Sequence, residues 1–266
     1  MFVWTFWEPK DKIPYYLQLC MQTVKQFLPE ATYIILDYSN IDQFLDVKRT
    51  FGFNLFSNKL KLMHVADCIR VAILEEFGGV WIDVDTILTS PNAKKFFIED
   101  KERRLVSFGT NRYPGGIIVN AFLNSVSNTP FLNRSKTYIR ELLYNLNTHT
   151  NDINTFYFNK IFFESYVQDH PNEFKLYPLE LVRPDFVYCK DSNKRSAFED
   201  YYLYHSFCLE DIEQDICMLF NSQVPEYIKN LSKEKFFELD CTLTNILAEL
   251  LDIRLPESRV KLEKPT

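Results

Sequence analysis

A chain of 266 residues with 46% hydrophobic side chains is long enough for one large α/β domain with an extension and apolar enough to fill its core, which excludes a disordered segment. Its 30 basic and 36 acidic side chains are mixed along the chain and leave a net charge of −6, which argues against a nucleic-acid partner. No window approaches the roughly 18 apolar residues of a membrane span and "MFVWTFWEPKDKIP" has no basic leader, so the expectation is a cytoplasmic protein with at most peripheral contact at the inner face of a membrane.

In chain order, "FVWTFW" (2–7) reads as a first strand, an aromatic and β-branched run closed off by Pro9. "IPYYLQLCMQTVKQFLPE" reads as a helix with Leu17, Met21, Val24, Phe27 and Leu28 on one side, opened near Pro14 and ended by Pro29. "TYIILDY" (32–38) is a second strand, and "SNIDQFLDVK" continues helically after an N-cap at Ser39 or Asn40. A helix over about 58–77 is apolar on most of its circumference, as one packed deep against a sheet would be, yet carries His64, Asp67 and Arg70 on one stripe. Buried ionisable groups cost several kcal/mol unless paired, so that stripe must be paired or must face a cavity.

Gly78 and Gly79 end this helix and reverse the chain into "VWI", which delivers Asp83 and Asp85 at the carboxyl end of a strand, where open α/β sheets place ligands. Residues i and i+2 of an extended chain point the same way, and two converging carboxylates call for a divalent cation, with oxygen chemistry suited to Mg²⁺ or Mn²⁺. "RRLVSFGTNRYPGGIIVNAFLNS" (103–125) forms two further strands around a turn, and "FEDYYLYHSF" (198–207) a strand ending at His205. His149 and His170 lie in polar, surface-like stretches, and the six cysteines read as reduced, mostly core thiols. Residues 210–255 read as helices broken at Pro225 and near Ser232, giving a catalytic domain over 1–209 and a helical C-terminal extension over 210–266 packed on it.

"HVADCIRVAILEEFGGVWIDVDTIL" resembles the signature of glycosyltransferases with a D-x-D sugar-binding region, a group that includes capsular polysaccharide synthesis proteins, yeast initiating mannosyltransferases and the sugar-transferring domains of large clostridial toxins. The elements are Asp-x-x-Arg, a helical spacer, and Gly-Gly-x-aromatic-x-Asp-x-Asp. The resemblance implies an α/β fold of GT-A type, a Rossmann-like mixed sheet flanked by helices. It also implies retaining, Mn²⁺- or Mg²⁺-dependent transfer of a hexose from a nucleotide-sugar, a UDP-sugar in particular, to a glycan, glycolipid or glycoprotein acceptor.

Carried over by residue, Asp67 and Arg70 contact the donor's sugar and phosphate side, Asp83 its ribose or sugar hydroxyls, and Asp85 the metal; Asp83, Asp85 and Arg70 form the catalytic set. Trp4, Phe6 or Trp7 at the end of the first strand stacks on the base, Asn120 lies near the donor sugar, and His205 is the further metal or phosphate ligand. The chain departs from the pattern at Ala66, where many relatives have serine, and in lacking a tryptophan soon after His205. Two other readings compete. "WIDVDTIL" also fits haloacid-dehalogenase-type phosphatases, with Asp83 as nucleophile, and a sugar-nucleotide-binding protein without turnover would keep the same residues.

Overall fold

The computed structural model describes residues 1–56, 60–110, 117–148, 169–188 and 197–264. Packing divides the chain into two units, each drawn from several stretches. The first comprises Met1–Asp11, Ala31–Asp83 and Phe96–Pro178; the second comprises Lys12–Glu30, Val84–Lys95 and Leu179–Thr266.

The first unit is a mixed seven-stranded sheet with helices. Its strands are β1 (Phe2–Phe6), β2 (Thr32–Leu36), β3 (Gly79–Ile82), β5 (Leu105–Thr110), β6 (Ile117–Ile118), β7 (Phe122–Ser125) and β8 (Phe174–Pro178). The order runs β2-β1-β3-β7-β5-β6, with β8 also pairing β5. β1 is parallel to both β2 and β3, whereas β7 is antiparallel to β3 and β5. The chain therefore leaves β1 first to one side and then to the other, and the crevice beyond the carboxyl ends of such strands is where open α/β sheets hold ligands. There a cleft of about 630 Å³ opens, lined by Glu8, Pro9, Lys10, Asp11, Asp37, Tyr38 and Ser39.

Helices α2 (Val47–Phe51), α3 (Leu62–Phe77) and α5 (Pro130–Thr148) complete this unit. α3 is buried from His64 to Glu75 except at Ala66, so the all-round apolar pattern does mark a helix sunk into the core. It begins at Leu62 rather than near 58. Trp4, Phe51, Ile69, Trp81, Leu123 and Phe174 belong to one core cluster. The turn after β2 is held differently from expectation. Neither Ser39 nor Asn40 caps with its side chain; instead the Asp37 carboxylate accepts from Ser39 N, Ser39 Oγ and Asn40 N, and Asp46 caps α2 by accepting from Arg49 N at 2.9 Å.

The second unit contains α1 (Tyr15–Phe27) and a two-stranded antiparallel sheet of β4 (Thr86–Leu88) and β9 (Ile216–Met218). α1 buries Leu17, Met21, Val24 and Leu28 as its periodicity requires, with Phe27 half-buried. Thr23 Oγ1 accepts from Leu88 N at 3.0 Å, which fastens α1 to β4. Short helices α6 (Pro184–Tyr188), α7 (Glu226–Lys229), α8 (Lys233–Phe237) and α9 (Thr242–Leu250) follow; α4 (Lys94–Phe97) straddles the division between the units.

Two segments differ from the pattern their sequences suggest. The 210–255 stretch is not wholly helical, because β9 lies within it. The strand expected over 198–205 is a π-helical turn, Glu199–Leu203, burying Phe198, Tyr201, Tyr202 and Leu203. Aromatic residues favour strands, but buried positions spaced by three and four follow a helical period, and that spacing decided the outcome.

Candidate functional site

In the first unit, three separate stretches bring Asp67, Arg70, Asp83 and Asn120 together. α3 places Asp67 and Arg70 one turn apart, with Arg70 Nη1 3.4 Å from Asp67 Oδ1. β3 ends at Ile82, and Arg70 Nη2 donates to Asp83 Oδ1 at 3.0 Å. Asp83 N donates to Ala121 O at 2.8 Å, continuing the antiparallel β3–β7 register and drawing Asn120 alongside, whose Nδ2 donates to Asp67 Oδ1 at 3.0 Å. The Ser107 hydroxyl, 2.9 Å from Val119 O and 2.7 Å from Phe122 O, holds this 119–122 bend in place.

The glycine pair sets the approach. Gly78 and Gly79 have φ of 65° and 94°, and a Cβ on Gly79 would stand 2.6 Å from Phe2 O. Trp81, two residues before Asp83 and on the same side of the strand, donates its indole N–H to Asp83 Oδ1 at 2.9 Å. Its ring also lies under the Arg70 guanidinium, 5.0 Å from the centroid. The aromatic in the Gly-Gly-x-aromatic-x-Asp-x-Asp pattern is thus the residue that braces both Asp83 and Arg70.

The electrostatics follow from two carboxylates sharing one buried cation. Burial pushes the Asp67 carboxyl up to about 6; Arg70 and the Asn120 amide act against that rise, and the charge of Asp83 adds to it. Arg70 is 5% exposed, and its Nε and Nη1 make no hydrogen bond, an arrangement that is costly unless a ligand supplies acceptors. On the same α3 stripe His64 is buried and its pKa is lowered, first by desolvation and then by Lys61, which keeps it neutral.

The three aromatics of the first strand separate. Trp4 has no exposed surface, packs among Phe2, Phe44 and Phe77 and donates to Gly78 O at 2.9 Å, so it is a core residue. Phe6 is 7% exposed and sits 5.9 Å from the Tyr38 ring. Trp7 alone keeps partial exposure.

Asp85 and His205 belong to the second unit. Asp85 is buried at the head of β4. One of its oxygens, Oδ2, accepts the main-chain N–H of Asn221, and the Asn221 Oδ1 in turn accepts from the Tyr16 hydroxyl. His205 Nε2 lies 2.9 Å from the Tyr188 hydroxyl, and its ring stacks on Phe207 at 5.0 Å. Among the described residues no three His, Cys, Asp or Glu side chains gather in a metal-holding group. A buried carboxylate is an oxygen ligand suited to a hard divalent ion of the kind that keeps waters and takes its remaining ligands from substrate phosphates. Tyr16, Asn221 and Tyr188 gave no local sequence signal, because their partners are distant in the chain.

Elsewhere, Cys20, Cys68, Cys217 and Cys241 are buried free thiols, whereas Cys208 is exposed. His170 is exposed; His149 and Cys189 lie outside the described residues.

A profile of the family described as "Capsular polysaccharide synthesis protein" matches residues 1–189. The chain belongs to this family. As a member of the capsular polysaccharide synthesis family it is a glycosyltransferase, and the phosphatase alternative falls away. No curated protein matches it by sequence.

Among solved structures, the galactosyltransferase LgtC bound to donor and acceptor sugar analogues is 9% identical at a TM-score of 0.48, over 97% of this chain and 98% of that one. The glycosyltransferase GlyE of Streptococcus pneumoniae TIGR4 is 13% identical at 0.48, over 97% and 66%. A glycosyltransferase involved in glycosylating the major capsid of PBCV-1 is 11% identical at 0.45, over 84% and 94%. Family membership rests on the profile match and not on these distant likenesses. Among the described residues no helix is long and apolar enough to cross a membrane.

Proposed function

We propose that this capsular polysaccharide synthesis protein is a metal-dependent, retaining hexosyltransferase of GT-A type. It moves a hexose from a UDP-sugar to a hydroxyl of a surface polysaccharide, lipooligosaccharide or glycoprotein acceptor. The observation that carries the reading is Arg70, buried between Asp67 and Asp83 with two nitrogens lacking hydrogen bonds. A guanidinium so placed is fitted to an anion such as the donor's diphosphate, while ionised carboxylates accept hydrogen bonds from sugar and ribose hydroxyls.

In this reading Arg70 stabilises charge on the departing phosphate. Asp67 and Asp83 orient the donor, with Asn120 fixing Asp67. Trp7 and the cleft beside it take the base. Asp85, with His205 as a further ligand, would hold Mn²⁺ or Mg²⁺, whose chemistry when bound is to neutralise the diphosphate leaving group. Retention follows a front-face route in which a departing phosphate oxygen takes the acceptor hydroxyl's proton. The whole cycle takes place in the cytoplasm, where sugar-nucleotides are the substrate class.

The test is a panel of UDP, GDP, CMP and their sugars with Mn²⁺, with Mg²⁺ and with EDTA, read by thermal shift and by donor hydrolysis. Metal-dependent stabilisation by one nucleotide, with slow hydrolysis of one sugar-nucleotide, is the expected result. Binding of none of them overturns the reading.

A further inference from the structure

The second unit contains an arrangement that family membership does not assign: a strap, residues 219–223, folded over Asp85. Leu219 N donates to the Asp85 main-chain oxygen at 3.0 Å, and Asn221 N donates to its carboxylate Oδ2. Two links two residues apart in one segment, the first continuing the β4–β9 pairing, fix both the backbone and the side chain of the aspartate. Asn221 is itself held, because its Oδ1 accepts from the hydroxyl of Tyr16, a residue of α1 that is 1% exposed. Three stretches far apart in sequence thus meet at one carboxylate.

The strap's own shape is enforced from below. Phe220 has φ of 57°, a left-handed conformation that a bulky side chain rarely adopts without external restraint. The restraint is visible. Its ring lies over the Arg183 guanidinium, 4.3 Å away, and Arg183 is forked onto the wholly buried Asp185 at 2.8 and 2.5 Å. Gln223 N closes the turn onto Phe220 O at 2.7 Å, while Gln223 Oε1 accepts from Arg183 Nη2 at 3.3 Å. A carboxylate that accepts a fixed main-chain N–H has its plane set, and outer partners of this kind tune how well a carboxylate ligates.

We propose that Tyr16 and Asn221 are positioning residues which, through the 219–223 strap, set the Asp85 carboxylate for metal binding. The inference rests on the proposed role of Asp85 as a metal ligand. Burial, and then the nearby charge of Asp85, raise the Tyr16 pKa, so its hydroxyl stays protonated and able to donate to Asn221 throughout the working pH range.

The experiment titrates Mn²⁺ alone into the full chain, with free Mn²⁺ read by electron paramagnetic resonance, for the native protein and for Asp85→Asn, Tyr16→Phe and Asn221→Ala. Tyr227→Phe, an exposed tyrosine of the same unit, is the control. The expected result is loss of binding in Asp85→Asn and a Kd for Mn²⁺ raised about 10-fold or more in Tyr16→Phe and Asn221→Ala, with the control unchanged. Asn221 is half-exposed, so its variant carries the test should the buried Tyr16→Phe misfold. Native affinity in both positioning variants, alongside loss in Asp85→Asn, overturns the inference and leaves the metal reading standing. Undiminished binding in Asp85→Asn, or none in the native chain, defeats the metal reading and the inference with it.

Discussion

Asp67 is an acid whose folded-state pKa, about 6, lies above the ordinary carboxylate value because burial outweighs its partners. The folded chain therefore holds the Asp67 proton more tightly than the unfolded chain does. The resulting preference for the folded state is fully present below about pH 4 and is lost progressively as pH rises from 4 through 6. Denaturation of the native protein and of Asp67→Asn, which does not titrate, should show the native chain losing ground to the variant from pH 4 to 6 and a constant difference above; a flat difference would mean Asp67 is not desolvated. Arg70→Lys keeps the charge but loses the planar fork that meets Asp67 and Asp83 together. Sugar transfer should fall about 100-fold in kcat/KM with the fold retained, as for loss of one preorganised charge-stabilising donor. The Asp67–Arg70 pairing was legible because a helical period puts residues three apart on one stripe; their meeting with Asp83 was not, because it depends on how α3 packs against the end of β3. Nor was the Tyr16–Asn221–Asp85 chain, because it depends on a main-chain N–H that no side-chain pattern encodes.

At the scale of elements, the turn from α3 into β3 is where the sequence allows least substitution. Gly79 combines φ of 94° with a would-be Cβ contact of 2.6 Å to Phe2 O, a main-chain atom of β1 that cannot move without disturbing the parallel β1–β3 pairing. Gly79→Ala should destabilise the protein by about 1–3 kcal/mol, measured as a lower denaturant midpoint. Gly52 has φ of 64° but open space around it, so Gly52→Ala should cost less, through backbone strain alone. Glycine is scarce in this chain, 6 of 266, and the pair at 78–79 announced its turn plainly. β9 announced nothing: three residues are too few to show alternation, and its partner β4 lies far back in the chain. The π-helical turn at Glu199–Leu203 was hidden by aromatic side chains, whose preference for strands masked the helical spacing of its buried positions.

For the whole molecule, the division between units falls between Asp83 and Val84, inside the D-x-D motif, and residues 179–209 share a unit with α1 and the C-terminal segment. A boundary drawn at 209 follows the end of the strand-and-helix alternation, whereas packing follows contacts between distant stretches, such as α1 against β4, that composition does not reveal. The first unit's core is built from aliphatic and aromatic side chains, and among the described residues no cluster of three metal-ligating groups exists to staple either unit. Metal bound at Asp85 should add stability by mass action, a little on its own and more together with the donor, without being needed for folding. EDTA alone should leave the melting temperature nearly unchanged. Mn²⁺ with the cognate nucleotide diphosphate at about 100 times its Kd should add about 2.7 kcal/mol, a rise of roughly 5–10 °C for a chain of this size. Asp85→Asn, which keeps an acceptor for the Asn221 N–H, should melt close to the native protein without ligand and lose the metal-dependent part of that rise. A melting temperature that falls steeply in EDTA alone would instead mean that a metal is part of the fold, and Asp85 would have to be read as a structural ligand.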